Sequence, residues 1–138
     1  MKKFGENLIL FLFMGLAYFG IEILWRGHSH WTMIVVGGLC GLSIGILNEN
    51  MSWDLSLLRQ ALYGAGLVTL IEFAAGCILN LKLGLGIWDY SNLPLNIMGQ
   101  ICLPFTIAWF GLSLIAIFLD DYLRWKWFGE EKPHYHWI

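Results

Sequence analysis

Along the chain the apolar positions fall in four long uninterrupted runs, at about residues 4–25, 31–47, 57–79 and 101–119, and the polar positions collect between them. Each run is near the roughly 20 residues that a helix, rising about 1.5 Å per residue, needs to cross the roughly 30 Å hydrocarbon layer. A membrane β-barrel would instead show segments of about ten residues alternating in polarity. The pattern predicts an all-α integral membrane protein, a four-helix transmembrane bundle forming one domain over residues 1–138. The first run is longer than the apolar core of a signal peptide and has no small-x-small cleavage pattern before Trp25. It is expected to stay in the protein.

The gaps differ in kind. Arg26-Gly27-His28-Ser29-His30 is a tight connection, and the stretch Asn48 to Asp54 offers Ser52 or Asp54 as N-cap of a third helix running to about Leu81. Residues 80–100 are too many for a turn and too apolar for a hydrated loop. Trp88 and Tyr90 suit the headgroup level, while Leu93, Leu95, Ile97 and Met98 would be costly to leave in water. Pro94 blocks a continuous helix. An interfacial or re-entrant segment between helices 3 and 4 is therefore expected, its backbone satisfied by protein or trapped water. Asp120-Asp121 marks the predicted end of the last span, and the Trp-rich tail 120–138 is expected to lie on the membrane surface.

Composition agrees with the pattern. Of 138 residues 58% are hydrophobic and 13% charged, a balance that a water-soluble domain of this size could not hide in one core. The net charge of −2 argues against a nucleic-acid partner and leaves membrane lipids as the expected surroundings. Cys40, Cys77 and Cys102, without a CxxC, read as small apolar residues rather than a disulfide or zinc framework. Four spans gather Lys2, Lys3, Arg59, Arg124, Lys126 and Lys132 on one side and leave Arg26 and Lys82 on the other. The positive-inside rule then puts both termini in the cytoplasm of a multi-pass cell-membrane protein. His28/His30 and His134/His136 fall on opposite sides, and two histidines are too few for zinc, so neither a metal nor a cofactor is expected.

Two acids stand out against the apolar background. Glu22 has Arg26 one turn on, the spacing of a helical ion pair; alternatively it faces the bundle interior with Tyr18. Glu72 lies about 10 Å from the far end of its span, too deep to reach the interface, and an acid at that depth is a functional candidate by default. The topology gathers Glu22, Glu72, Trp88, Asp89, Tyr90, Asn96 and Gln100 on the outer half of the bundle, a candidate ligand-binding set in an outward-facing polar pocket. The competing reading is that the loop polars cap helix ends and the acids are neutralised structurally. Gly37, Gly41 and Gly45 form a smooth ridge on the second span that lets another helix approach, from the same chain or from a second copy in a homo-oligomer or larger complex.

Glu72, the segment Trp88-Asp89-Tyr90-Ser91, Asn96, the stretch Gly99-Gln100-Ile101-Cys102-Leu103, and Trp109 together resemble the putative ABC-transporter type IV (CmpB-like) family, small bacterial membrane proteins with animal relatives. Gly27-His28-Ser29-His30-Trp31 is similar to the family's first connection. Where the family shows Gly-Trp ahead of its first acid, this chain has Tyr18-Phe19. The resemblance implies a permease. The sequence carries no Walker motif, so the implied ATPase would be a separate chain.

Three functions follow as expectations. One is a permease-like or channel-like subunit whose pocket admits a small solute or ion. Another is an intramembrane enzyme on a lipid or lipid-linked substrate, with Glu72 and Asp89 dividing acid and base roles; no nucleophile or metal motif accompanies them, and no catalytic residue is assigned. The third is a non-catalytic assembly module built on the glycine ridge, around a bound lipid. The permease-like reading is preferred because it uses both acids and the family resemblance.

Overall fold

The computed structural model describes residues 2–50, 55–133 and 135. Those residues form four helices: α1 Lys2–Arg26, α2 Thr32–Glu49, α3 Leu57–Gly76 and α4 Leu103–Phe128. A π-helical segment, Cys77–Lys82, continues α3. All four spans are long and apolar enough to cross a membrane, as the uninterrupted apolar runs predict.

The helix ends have local causes. Ser56 caps α3, its Oγ accepting from the Arg59 N–H at 3.3 Å. The caps expected at Ser52 and Asp54 lie outside the described residues. Pro104 occupies the first turn of α4, where its missing N–H costs no helical bond. Gly129 ends α4 at φ 70°, a left-handed conformation that turns the chain back so that the Glu130 N–H reaches the Arg124 carbonyl at 3.1 Å.

The end of α4 differs from the sequence expectation. The helix does not stop near Leu119 but runs on to Phe128, with Asp120 and Asp121 buried rather than exposed at a boundary. Arg124, one turn beyond Asp120, donates from Nε to its carboxylate at 3.0 Å, and Asn48 of α2 donates to Asp121 at 2.7 Å. Partnered acids can continue a buried helix face where bare acids could not.

Helix α2 is the centre of the bundle, packed against α1, α3 and α4. Its glycine ridge makes that position accessible. Gly37 and Gly41 face Tyr18 and Met14 of α1, and a Cβ at Gly37 would fall 2.7 Å from the Tyr18 Cβ. Gly45 faces the Asp120 carboxylate of α4. The ridge is thus filled by helices of the same chain, and does not remain as a free stripe through which a second copy could pack.

Helices α1 and α4 meet through long side chains, Tyr18 with Trp109 at 6.1 Å between ring centroids and Phe13 with Trp127 at 5.7 Å. A cleft remains between α1 and α4, floored by α2 between those contacts and continuing past Tyr18 and Trp109 toward the loop. The segment after Lys82 closes one end. It folds back on itself through a Tyr90 N–H to Gly99 carbonyl bond of 2.7 Å and an isolated bridge between Ile97 and Ile101. These bonds supply the internal backbone satisfaction that an interfacial or re-entrant segment requires.

Candidate functional site: the loop end of the cleft

Glu72 is the point where three elements converge. It is buried in α3, with Oε1 accepting from the Trp109 indole N–H of α4 at 3.0 Å and Oε2 accepting from the Tyr90 hydroxyl at 2.9 Å. Among the described residues no salt bridge reaches it. Tyr90 stacks on Phe105 at 4.7 Å, and Phe105 leads on to Trp109 at 6.2 Å, so the donors sit in one aromatic run. Burial, and after it the Glu72 carboxylate, push the Tyr90 phenol above its ordinary range. Tyr90 therefore acts as a donor.

A layer of amides carries the segment onto α3. Asn80 donates to the Gln100 side-chain oxygen at 2.8 Å and accepts the Ile87 N–H at 2.7 Å, while the Trp88 indole donates to the Gln100 carbonyl at 3.0 Å. Gly76 admits this layer: a Cβ there would lie 2.6 Å from Gln100 Oε1. Trp88 and Gln100 are both buried, and their polar atoms are engaged in holding the segment.

Asp89 and Asn96 shape the turn above. Asp89 Oδ1 accepts the Ser91 N–H at 2.9 Å and the Ser91 hydroxyl. Those two bonds hold its exposed carboxyl below the usual carboxylate range. Asn96 donates to the Leu93 carbonyl at 3.0 Å and accepts the Gly99 N–H at 3.1 Å. Gly99 is required here twice over, since φ is +73° and a Cβ would fall 2.8 Å from Asp89 Oδ1.

Glu22 and Arg26 form the helical ion pair that their spacing predicts, at 2.7 Å. The second guanidinium nitrogen of Arg26 donates to the Ile87 carbonyl at 2.8 Å, which ties α1 to the segment. Together α1, the segment and α4 line an open cavity of about 520 Å³ whose wall includes Glu22, Trp25, Arg26, Asp89, Tyr90 and Phe105. A second, apolar cavity of about 120 Å³ adjoins it along α2, sharing Tyr18, Ile21, Trp88, Trp109 and Leu112, with Glu72 in its wall.

The seven candidate residues therefore divide. Glu22, Trp88, Asp89 and Tyr90 line the larger cavity, and Glu72 lies behind Tyr90 and Trp109 in the smaller one. Asn96 and Gln100 are in neither lining and serve the turn and the amide layer. His30 Nδ1 lies 2.7 Å from Thr32 Oγ1 at the start of α2. His134 and His136 lie outside the described residues.

Sequence reasoning missed a polar cluster at the opposite end. Arg124 is almost fully buried; besides Asp120 it approaches Glu49 at 3.5 Å, Glu130 at 3.6 Å and Asn7 of α1 at 3.4 Å. Asp121 accepts the Tyr135 hydroxyl at 2.7 Å. Asp120 and Arg124 stand at the same four-residue spacing as Glu22 and Arg26, and that was the available signal.

The family model described as Putative ABC-transporter type IV matches residues 9–128. No curated protein and no solved structure matches the chain.

Proposed function

The chain belongs to the Putative ABC-transporter type IV family, and on that premise we propose that this small multi-pass membrane protein is a permease-like subunit that receives a small solute in the α1–α4 cleft. The observation that carries the reading is the cavity of about 520 Å³ at the loop end, where charged and hydrogen-bonding groups gather beside aromatic walls. Its size falls within the roughly 300–1,000 Å³ of small-molecule sites, and a mostly apolar wall with a few convergent polar groups is their usual composition. Glu22, Asp89 and Tyr90 face the solute; Trp88 closes the floor; Glu72 fixes Tyr90 from behind; Asn96 and Gln100 hold the segment in place.

In this reading the energy source is an ATPase on a separate chain, because the sequence has no phosphate-binding glycine loop. The distribution of Lys and Arg orients both termini to the cytoplasm and the loop end outward. Lipid covers the outer faces of α1 and α4. The test is purification in mild detergent followed by reconstitution. A co-purifying ATPase and solute flux that falls on replacement of Tyr90 or Asp89 support the reading; complexes without an ATPase and proteoliposomes that move no solute refute it.

A further inference from the structure

Resting on that reading of the cleft, we propose that its solute is an organic cation, a compact ammonium with apolar substituents, held among the aromatic rings beside Asp89. The charges facing the cavity come from two elements. Helix α1 contributes Glu22 and Arg26, which neutralise each other at 2.7 Å, and the segment contributes Asp89. The α4 wall, which includes Phe105, Ala108 and Trp109, brings no charge. Arg26 is further committed by its bond to the Ile87 carbonyl at 2.8 Å. One uncompensated negative charge therefore remains, on Asp89.

The walls sharpen this choice. Aromatic faces carry a negative quadrupole, and alkylated ammonium groups are recognised by several such faces at once. Trp25, Trp88, Tyr90, Phe105 and Trp109 line the cavity, with Tyr90 and Phe105 stacked on one another so that each keeps one face uncovered by the other. An anion would meet the ring faces and Asp89, and the one cation in the wall, Arg26, is already held by Glu22 and the Ile87 carbonyl. A bare metal cation needs about six or more oxygen ligands to replace its water. The cavity wall offers two carboxylates, one of them already paired. A cation whose charge is shielded by alkyl groups loses little hydration and fits the apolar part of the wall.

Charged thiol reagents test this directly. Ala108, in the α4 wall, is replaced by Cys in a chain whose Cys40, Cys77 and Cys102 are Ala, and the protein is placed in nanodiscs. Its rates with trimethylammonium-ethyl and sulfonato-ethyl methanethiosulfonate are each normalised to a free thiol. Leu93→Cys, on the segment, serves if Ala108→Cys fails to fold. The expected result is a normalised preference of about tenfold or more for the cationic reagent, the scale on which a charged cleft concentrates counter-ions. Tetraethylammonium should slow the reaction and pivalate should not. Asp89→Asn keeps an oxygen for Ser91 and should reduce the preference several-fold. Equal rates, protection by pivalate, or preference without protection by tetraethylammonium overturn the cation while leaving the cleft as a site. If neither reagent reaches either cysteine in the folded protein, although both react after unfolding, the cleft is closed and the permease-like reading falls with it.

Discussion

The indole N–H of Trp109 donates to Glu72 at 3.0 Å, so a residue of α4 holds the one acid buried deep in α3. With Tyr90 on the other oxygen, the carboxylate has both acceptors used by neutral donors. The segment that closes the cleft is thereby fastened to α3 and α4. Replacing Glu72 by Leu leaves the half-buried Tyr90 hydroxyl and the buried Trp109 indole without their acceptor, the buried donor alone costing about 1–3 kcal/mol. Glu72→Leu should lower the melting temperature in nanodiscs markedly and release the segment to proteolysis between Trp88 and Gln100. Glu72→Gln retains one acceptor and should lie between Leu and wild type.

The glycine ridge predicts a position-specific pattern. Gly37→Ala places a methyl group 2.7 Å from Tyr18, and Gly41→Ala places one 2.5 Å from Met14. Overpacking of this kind costs about 1–3 kcal/mol. Gly20→Ala and Gly111→Ala meet nothing within 4 Å and should leave stability unchanged or slightly improved, since Ala also favours the helix. Thermal melts of the four variants check the contrast. If oligomer size rather than melting responds at Gly37, intrachain packing is the wrong account.

At the opposite end, Arg124 links α1, α2 and α4. Arg124→Ala strands the buried Asp120 carboxylate, a loss of about 3–5 kcal/mol. Asp120→Asn in the same chain should recover part of it. A double-mutant cycle by denaturant titration measures the coupling.

Asp89 sets the acid dependence of the turn. Its folded-state carboxyl lies below the ordinary range because Ser91 donates to it, so its contribution to the turn is complete above the unfolded value and disappears as pH falls through the folded one. Ser91→Ala should bring the Asp89 titration up toward about 3.9, the ordinary value. Carbon-detected NMR of the Asp89 carboxyl follows this directly.

Much of the bundle was legible because it rests on uninterrupted apolar runs, and a bilayer demands little else of a spanning helix. The Glu22–Arg26 pair was legible from spacing. The end of α4 was not, because Asp120-Asp121 reads as a polar boundary until the partners that bury it, Arg124 one turn on and Asn48 on another helix, are brought alongside. Asp89 and Asn96 stood out as polar residues in an aromatic segment, but sequence could not show how far they are committed to the turn around Ser91 and Gly99. A polar pocket at this end was expected from the topology, but its place between α1 and α4 was not legible. It exists because α1 and α4 both pack on α2 and touch each other only at isolated long side chains among the described residues, and a one-dimensional pattern does not record which helices stay apart.

The most direct measurement is a structure in lipid nanodiscs at a resolution that separates solute from side chains at the loop end of the cleft. The account predicts discrete non-protein density bounded by Trp25, Tyr90 and Phe105, with Glu72 still engaged by Trp109 and Tyr90 behind it. Helices α1 and α4 closed on one another, with Trp25 and Phe105 in contact and no space between them, would contradict it.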